Sequence, residues 1–195
     1  MKRFILVLIL ILFPVILFAS PFGLKKGMTL EEIAEQCETE PEFVKDDIYL
    51  ITPIKKHPLF TTYYVCVNEK TGLYKIQAIT NSISTNKYGT ELKEAFNDIK
   101  DRIAKTYNKP IITDRLIKTV NSYYQKEENW FYTLQEGSRE LSATWGTSEE
   151  LKDDLDIIKL YCIASSGLYE GSSRIYLTYT FNNTSEIEDE QDSVF

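Results

Sequence analysis

The chain has 195 residues, with 22 Lys and Arg against 29 Asp and Glu, a net charge of −7 and 43% hydrophobic residues. An acidic protein without a basic patch is a poor partner for phosphate backbones or anionic lipid, so nucleic-acid binding is not expected. The length suffices for one sizeable domain or two small joined ones.

Met1 to Ser20 reads as a secretory signal peptide. Lys2 and Arg3 precede an apolar run from Phe4 to Ala19, interrupted only by Pro14. A spanning helix needs about 20 apolar residues, and this run is shorter and ends at small residues. Cleavage after Ala19 is expected; the alternative is an uncleaved anchor. Removal takes the cations from 22 to 20 against 29 acids, a net charge of −9. An exported chain, periplasmic or secreted, is the expectation, with no membrane span after processing.

The segment beyond the signal opens with Pro21-Phe22-Gly23-Leu24-Lys25-Lys26 and continues as Gly27-Met28-Thr29-Leu30-Glu31-Glu32-Ile33. Thr29 and Glu32 have the spacing of a capping box, and Met28 with Ile33 that of a hydrophobic staple. A short helix to about Cys37 is predicted, with Pro41 ending any continuation. Three strands are predicted next, over Asp47 to Thr52, Thr61 to Val67 and Leu73 to Thr80. The last two are joined by the loop Asn68-Glu69-Lys70-Thr71-Gly72.

The order Gly27-Met28-Thr29-x-x-Glu32-Ile33, then a strand, then a hairpin closing on Gly72-Leu73-x-x-Ile76, resembles the BamE/SmpA-type envelope modules. It also resembles the tandem layout of the β-lactamase inhibitor proteins. The likeness covers Gly23 to about Thr80. It implies a small, exported, non-catalytic α+β module with a helical layer on an antiparallel sheet. The lipid-acceptor Cys of the BamE type is absent and a whole second half follows, so an outer-membrane assembly role does not transfer.

From Thr90 to Tyr107, Leu92, Phe96, Ile99 and Ile103 recur at i, i+4, i+7 and i+11, with charged residues between. That period predicts a helix with one buried stripe, Thr90 as its N-cap and Asn108-Lys109-Pro110 as its stop. Ile111 to Val120 is ambiguous between helix and strand. Glu127 to Glu136 reads as a second helix ended by Gly137. Three alternating strands then follow, over Leu141 to Trp145, Asp156 to Ser165 and Ile175 to Phe181.

The architecture expected from this order is α+β, with two tandem units of helices followed by a three-stranded antiparallel meander, the helices packed on one sheet face. Residues 21–86 form the first unit, 87–182 the second, and 183–195 an acidic disordered tail carrying Glu186, Glu188, Asp189, Glu190 and Asp192. The tail holds two overlapping Asn-x-Ser/Thr triplets, beginning at Asn182 and Asn183, that matter only in a eukaryotic secretory pathway.

The residues offer little chemistry. Cys37, Cys66 and Cys162 match no zinc spacing, and His57 is the sole histidine, so no metal site is expected. Cys37 with Cys66 is the candidate disulfide pair, while Cys66 and Cys162 sit in apolar runs as small core residues. No glycine-rich phosphate loop or dinucleotide fingerprint is present, so no cofactor is expected. Glu31 with Glu35, and Asp153 with Asp154, read as solvated surface rather than catalytic pairs. The reading with most support is a non-catalytic binding or accessory protein of the bacterial envelope, its partner a protein or peptide, with Tyr63 and Tyr176 as aromatic anchors on a wet sheet face. The alternative is a small secreted hydrolase using His57 with Cys66 or a carboxylate.

Overall fold

The structure, a computed structural model, describes residues 20–147, 150–165 and 172–184. The expected signal peptide up to Ala19 and the acidic tail from Ser185 lie outside the described residues. Among the described residues, no helix is long and apolar enough to cross a membrane.

The expected pair of tandem units is not what this chain builds. Among the described residues, the strands form one nine-stranded antiparallel sheet. They are β1 (Glu42–Lys45), β2 (Ile48–Ile51), β3 (Phe60–Asn68), β4 (Gly72–Thr80), β5 (Ile83–Ser84), β6 (Ile111–Leu116), β7 (Arg139–Trp145), β8 (Leu155–Ala164) and β9 (Ser172–Phe181). The main path runs β1-β2-β3-β4-β9-β8-β7-β6, and β5 pairs with the start of β9. The halves merge because β4 and β9 meet along a continuous ladder from Lys75↔Thr180 to Ile79↔Tyr176. Both strands alternate apolar and polar residues in matching phase, so pairing them satisfies two inner edges and aligns two apolar faces at once.

Helical structure is also sparser than two helical layers require. It consists of α1 (Leu30–Ala34), α2 (Thr90–Tyr107) and α3 (Trp130–Gln135), with short 3₁₀ turns at Pro21–Gly23, Ser122–Gln125 and Glu127–Asn129. The predicted capping box at the start of α1 is present: the Thr29 hydroxyl accepts from the Glu32 N–H at 3.3 Å, and the Glu32 carboxylate accepts from the Thr29 N–H at 2.9 Å. In α2 the predicted stripe is the buried one, Leu92, Phe96, Ile99 and Ile103, extended by Tyr107. Its start differs by one residue from expectation. Gly89 is the N-cap, in a left-handed conformation at φ 72°, and the Asn86 side chain accepts from the N–H groups of Tyr88 and Thr90. The stop falls where Asn108-Lys109-Pro110 predicts, and the Trp145 indole N–H binds the Asn108 carbonyl at 3.0 Å.

The ambiguous stretch after Pro110 is a strand, β6, at the far edge of the sheet. Trp130 ties that edge to the helices. It is 3% exposed, its indole N–H donates to the Asp114 carboxylate at 3.0 Å, and Lys93 of α2 lies 4.2 Å over its ring. Arg139 of β7 closes the group with a 2.7 Å ion pair to Asp114.

All three helices lie on one face of the sheet, over Val65, Ile76, Ala78, Ile158, Leu160 and Leu177 among others. Asn183 and Thr184, the first two residues of the expected tail, are packed against β4. Asn183 is 5% exposed, and its amide donates to the Thr71 and Leu73 carbonyls at 3.1 and 3.2 Å. Beside it the Gly27 segment runs against the start of β4. A Cβ on Gly72 would fall 2.2 Å from the Gly27 carbonyl oxygen, and Gly72 has a φ of 71°.

That close approach of two backbones gives a stability prediction. Gly72→Ala should destabilise the protein by about 2–4 kcal/mol, because it adds an overlap with backbone to the left-handed strain. Urea unfolding of the variant should show a lower midpoint with an unchanged slope. A midpoint within error of the parent's would refute the packing described.

Candidate functional site

Strand parity determines which side chains reach the side of the sheet that, among the described residues, no helix covers. On β3 these are Thr62, Tyr64 and Cys66; on β4, Lys75, Gln77 and Ile79. On β9 they are Arg174, Tyr176, Thr178 and Thr180, and on β8 Ile157, Lys159, Tyr161 and Ile163. The ladders align them in rows across the four central strands. One row runs Tyr64, Gln77, Thr178, Lys159, and the next runs Thr62, Ile79, Tyr176, Tyr161.

An aromatic pair stands at the centre of this open face. Tyr161 and Tyr176 are stacked with ring centroids 5.2 Å apart and an interplanar angle of 15°. The Gln77 amide nitrogen reaches the Tyr161 hydroxyl at 3.4 Å and the Thr178 hydroxyl at 3.5 Å. The Lys159 ammonium sits 5.6 Å from the Tyr161 ring. Partial burial raises the Tyr161 phenol above its ordinary value, so it stays a neutral donor at physiological pH. At the margin the Tyr74 hydroxyl donates to the Asp47 carboxylate.

The charge of this face runs against that of the chain. The positions on its four central strands carry Lys75, Lys159 and Arg174, with the carboxylates of Asp47 and Glu140 at the margins, although acids outnumber bases in the whole sequence. Stacked phenols, an amide, hydroxyls and three cations can bind a polypeptide through apolar contact, hydrogen bonds and charge.

Of the two anchors expected from sequence, Tyr176 is on this face and Tyr63 is not. Tyr63 is 2% exposed on the helix-covered side, with its ring 5.0 Å from Phe22. Its hydroxyl accepts from the His57 N–H at 3.2 Å and lies 3.3 Å from the carbonyls of His57 and Phe60. The signal for this was present. Tyr63 shares parity with Val65 and Val67, while Tyr64 shares it with Thr62. Tyr161 was readable in the same way, being out of phase with Ile158 and Leu160.

The groups proposed for hydrolysis are kept apart. His57 packs against Phe60 at 5.8 Å on the helix side, where it lines a cavity of about 240 Å³ with Phe22, Ile99, Arg102 and Tyr179. Cys66 is on the open face, beside Lys75. Burial raises the Cys66 thiol above its ordinary value and lowers the His57 imidazole, the reverse of an activated thiolate–imidazolium pair. The His57 Nδ1 accepts from the Leu59 N–H at 3.3 Å. Glu31 and Glu35 are exposed at α1, and hydrogen bonds from its own N–H and from Thr29 lower the Glu31 carboxyl rather than raise it. Asp153 accepts from the Tyr107 hydroxyl at 2.9 Å, and Asp154 faces Lys26 at 3.6 Å. The cysteines form no disulfide: Cys37 lies in a bridge with Pro53 on a segment away from Cys66, and Cys162 is in the core. Among the described residues, no three His, Cys, Asp or Glu side chains converge to hold a metal ion.

Comparison of the chain with protein-family models, with curated proteins and with solved structures returned no match.

The His57 environment has a pH consequence. Burial depresses its folded-state pKa, so the unfolded chain binds the proton more readily, and stability falls as pH drops from the ordinary imidazole value through the lowered one. Thermal unfolding between pH 7.5 and pH 5 should show a steeper loss of Tm for the parent than for His57→Gln. Parallel curves would contradict this assignment.

Proposed function

We propose that this chain is an exported, non-catalytic binding protein that engages an acidic segment of a protein or peptide through the open face of its sheet. The observation that carries the reading is the composition of that face, where the stacked Tyr161–Tyr176 pair and Gln77 stand among Lys75, Lys159 and Arg174 with no acid between them. A sheet surface serving only to be wet has no need of paired phenol rings, and large half-exposed aromatics are effective anchors because they give much contact area for little lost rotamer freedom. The three cations outnumber the two carboxylates at the margins of the face, Asp47 beside Tyr74 and Glu140 beside Ser142, which favours a partner of the other sign. Export is supported by the basic start and apolar run from Phe4 to Ala19. The likeness of Gly23 to Thr80 to BamE/SmpA-type envelope modules supports the same class. No observation favours the hydrolase reading.

The test is site-specific photocrosslinking in the producing cell, with the reactive side chain placed in turn at Tyr64, at Tyr176 and, as a control, at the exposed Glu94 of α2. The two sheet positions should give the same crosslinked species, and the control should not. Lys159→Glu combined with Arg174→Glu should reduce that species at least tenfold while leaving Tm within a few degrees, since both side chains are solvent-exposed. Equal yield at Glu94, or a species indifferent to the charge reversal, would eliminate the open face as the binding surface.

A further inference from the structure

The two ends of the sheet are built differently. β1 is four residues long, carries Glu42 and Lys45 at its ends, and has a register irregularity between Phe43 and Lys45. Shortness, charge and a bulge are the usual devices that keep an edge strand from pairing with another chain. β6 lacks them. It pairs regularly with β7 from Ile111↔Thr144 to Leu116↔Arg139, with no bulge. The ladder continues one step further through the Ile117 N–H, which donates to the Ser138 carbonyl at 2.8 Å. Ile111, Ile112 and Ile117 are 57%, 53% and 50% exposed.

That last bond defines which backbone groups of β6 are unused. In an antiparallel ladder the residues whose N–H and C=O face one neighbour alternate with those that face the other. Ile117 is bonded to β7, so Leu116, Asp114 and Ile112 direct their N–H and C=O groups outward. The sequence Ile111-Ile112-Thr113-Asp114-Arg115-Leu116-Ile117 is symmetric in polarity about Asp114: two apolar residues, three polar ones, two apolar ones. The outward-facing groups are symmetric about the same residue.

We infer that β6 is a homodimerisation edge, pairing antiparallel with β6 of a second copy about a two-fold axis at Asp114. In this register Asp114 pairs with its own counterpart and Ile112 with Leu116, each exchanging both backbone bonds. Ile111 then meets Ile117 in a closely spaced pair, and Thr113 meets Arg115. Every apolar side chain of the strand thus finds an apolar one, as cross-strand pairing favours. The shifted register centred on Thr113 would set Ile111 against Arg115 and Ile112 against Asp114. The like charge of the two Asp114 carboxylates is offset within each copy, because each is held by its own Arg139 at 2.7 Å and by the Trp130 indole. A closed two-fold arrangement uses β6 completely, so assembly stops at two. The two open faces would then lie side by side on one continuous sheet.

The experiment is sedimentation equilibrium of the protein beginning at Ser20, with two edge variants and a set of cysteine variants. The parent should sediment as a dimer of that chain, with a dissociation constant on the order of micromolar for an interface of this limited size. Ile112→Lys should weaken it at least tenfold, and Phe43→Lys on β1 should leave it unchanged. Ile111→Cys/Ile117→Cys should form an intermolecular disulfide on oxidation and neither single variant should, which separates the Asp114 register from a shifted one. A monomeric parent, a species larger than a dimer, or a dimer unaffected by Ile112→Lys would overturn the proposal. So would a dimer cross-linked by Ile111→Cys/Arg115→Cys in place of Ile111→Cys/Ile117→Cys. Circular dichroism of each variant confirms that any loss is of association and not of fold.

Discussion

One-sided burial is the constraint from which the rest of this molecule follows. The four central strands present their apolar residues in the same phase, and the register of each ladder keeps them on one side. A sheet with a single apolar face must cover it. Here α2, eighteen residues long, supplies most of the cover with Leu92, Phe96, Ile99, Ile103 and Tyr107, and α3 adds Trp130, Phe131 and Leu134. The other face is left to polar and half-exposed aromatic side chains, and its composition is therefore free to serve recognition.

The helical cover is anchored through a few polar contacts placed where burial alone would leave a choice. Trp130 lies between Lys93 of α2 and Arg139 of β7, and its indole N–H is satisfied by Asp114 of β6. Gly89, at the start of α2, leaves room for this ring, since a Cβ there would fall 2.3 Å from it. Asp114 therefore has two neighbours to satisfy within its own chain, which is why an acidic residue is tolerated on an edge strand beside exposed isoleucines. At the other end of α2 the Tyr107 hydroxyl reaches Asp153 and Trp145 caps the last turn, so the helix is fixed at both termini.

The amino-acid sequence made the local structure legible and left the global arrangement open. The stripe of α2, the capping box of α1 and the strands from Thr61 onward follow from periodicity and local hydrogen bonding, which a single chain segment determines by itself. Whether β4 pairs with β9 depends on matching two edges nearly one hundred residues apart, and no local pattern encodes that. The tandem arrangement was the natural inference from order alone, because each run of three strands looks complete as a meander. β1 and β5 escaped notice for another reason: Glu42-Phe43-Val44-Lys45 and Ile83-Ser84 are too short for alternation to register. Of the candidate site, Tyr176 was legible because its neighbours Thr178 and Thr180 are polar. Tyr63 has the aromatic character of an anchor but the parity of Val65 and Val67, and parity decides that it is buried. The stacked pair, and the cations gathered around it, become visible only once β8 and β9 are known to be adjacent.

The last strand among the described residues is also an inner strand of the sheet. Ser172–Phe181 lies between Gly72–Thr80 and Leu155–Ala164. Until it is in place, an incompletely synthesised chain has two raw edges where the finished protein has a seam. The amino-terminal hairpins gain their second neighbour only when this strand arrives, and the closing contacts join residues about one hundred positions apart. Such a topology acquires its structure late and as a whole.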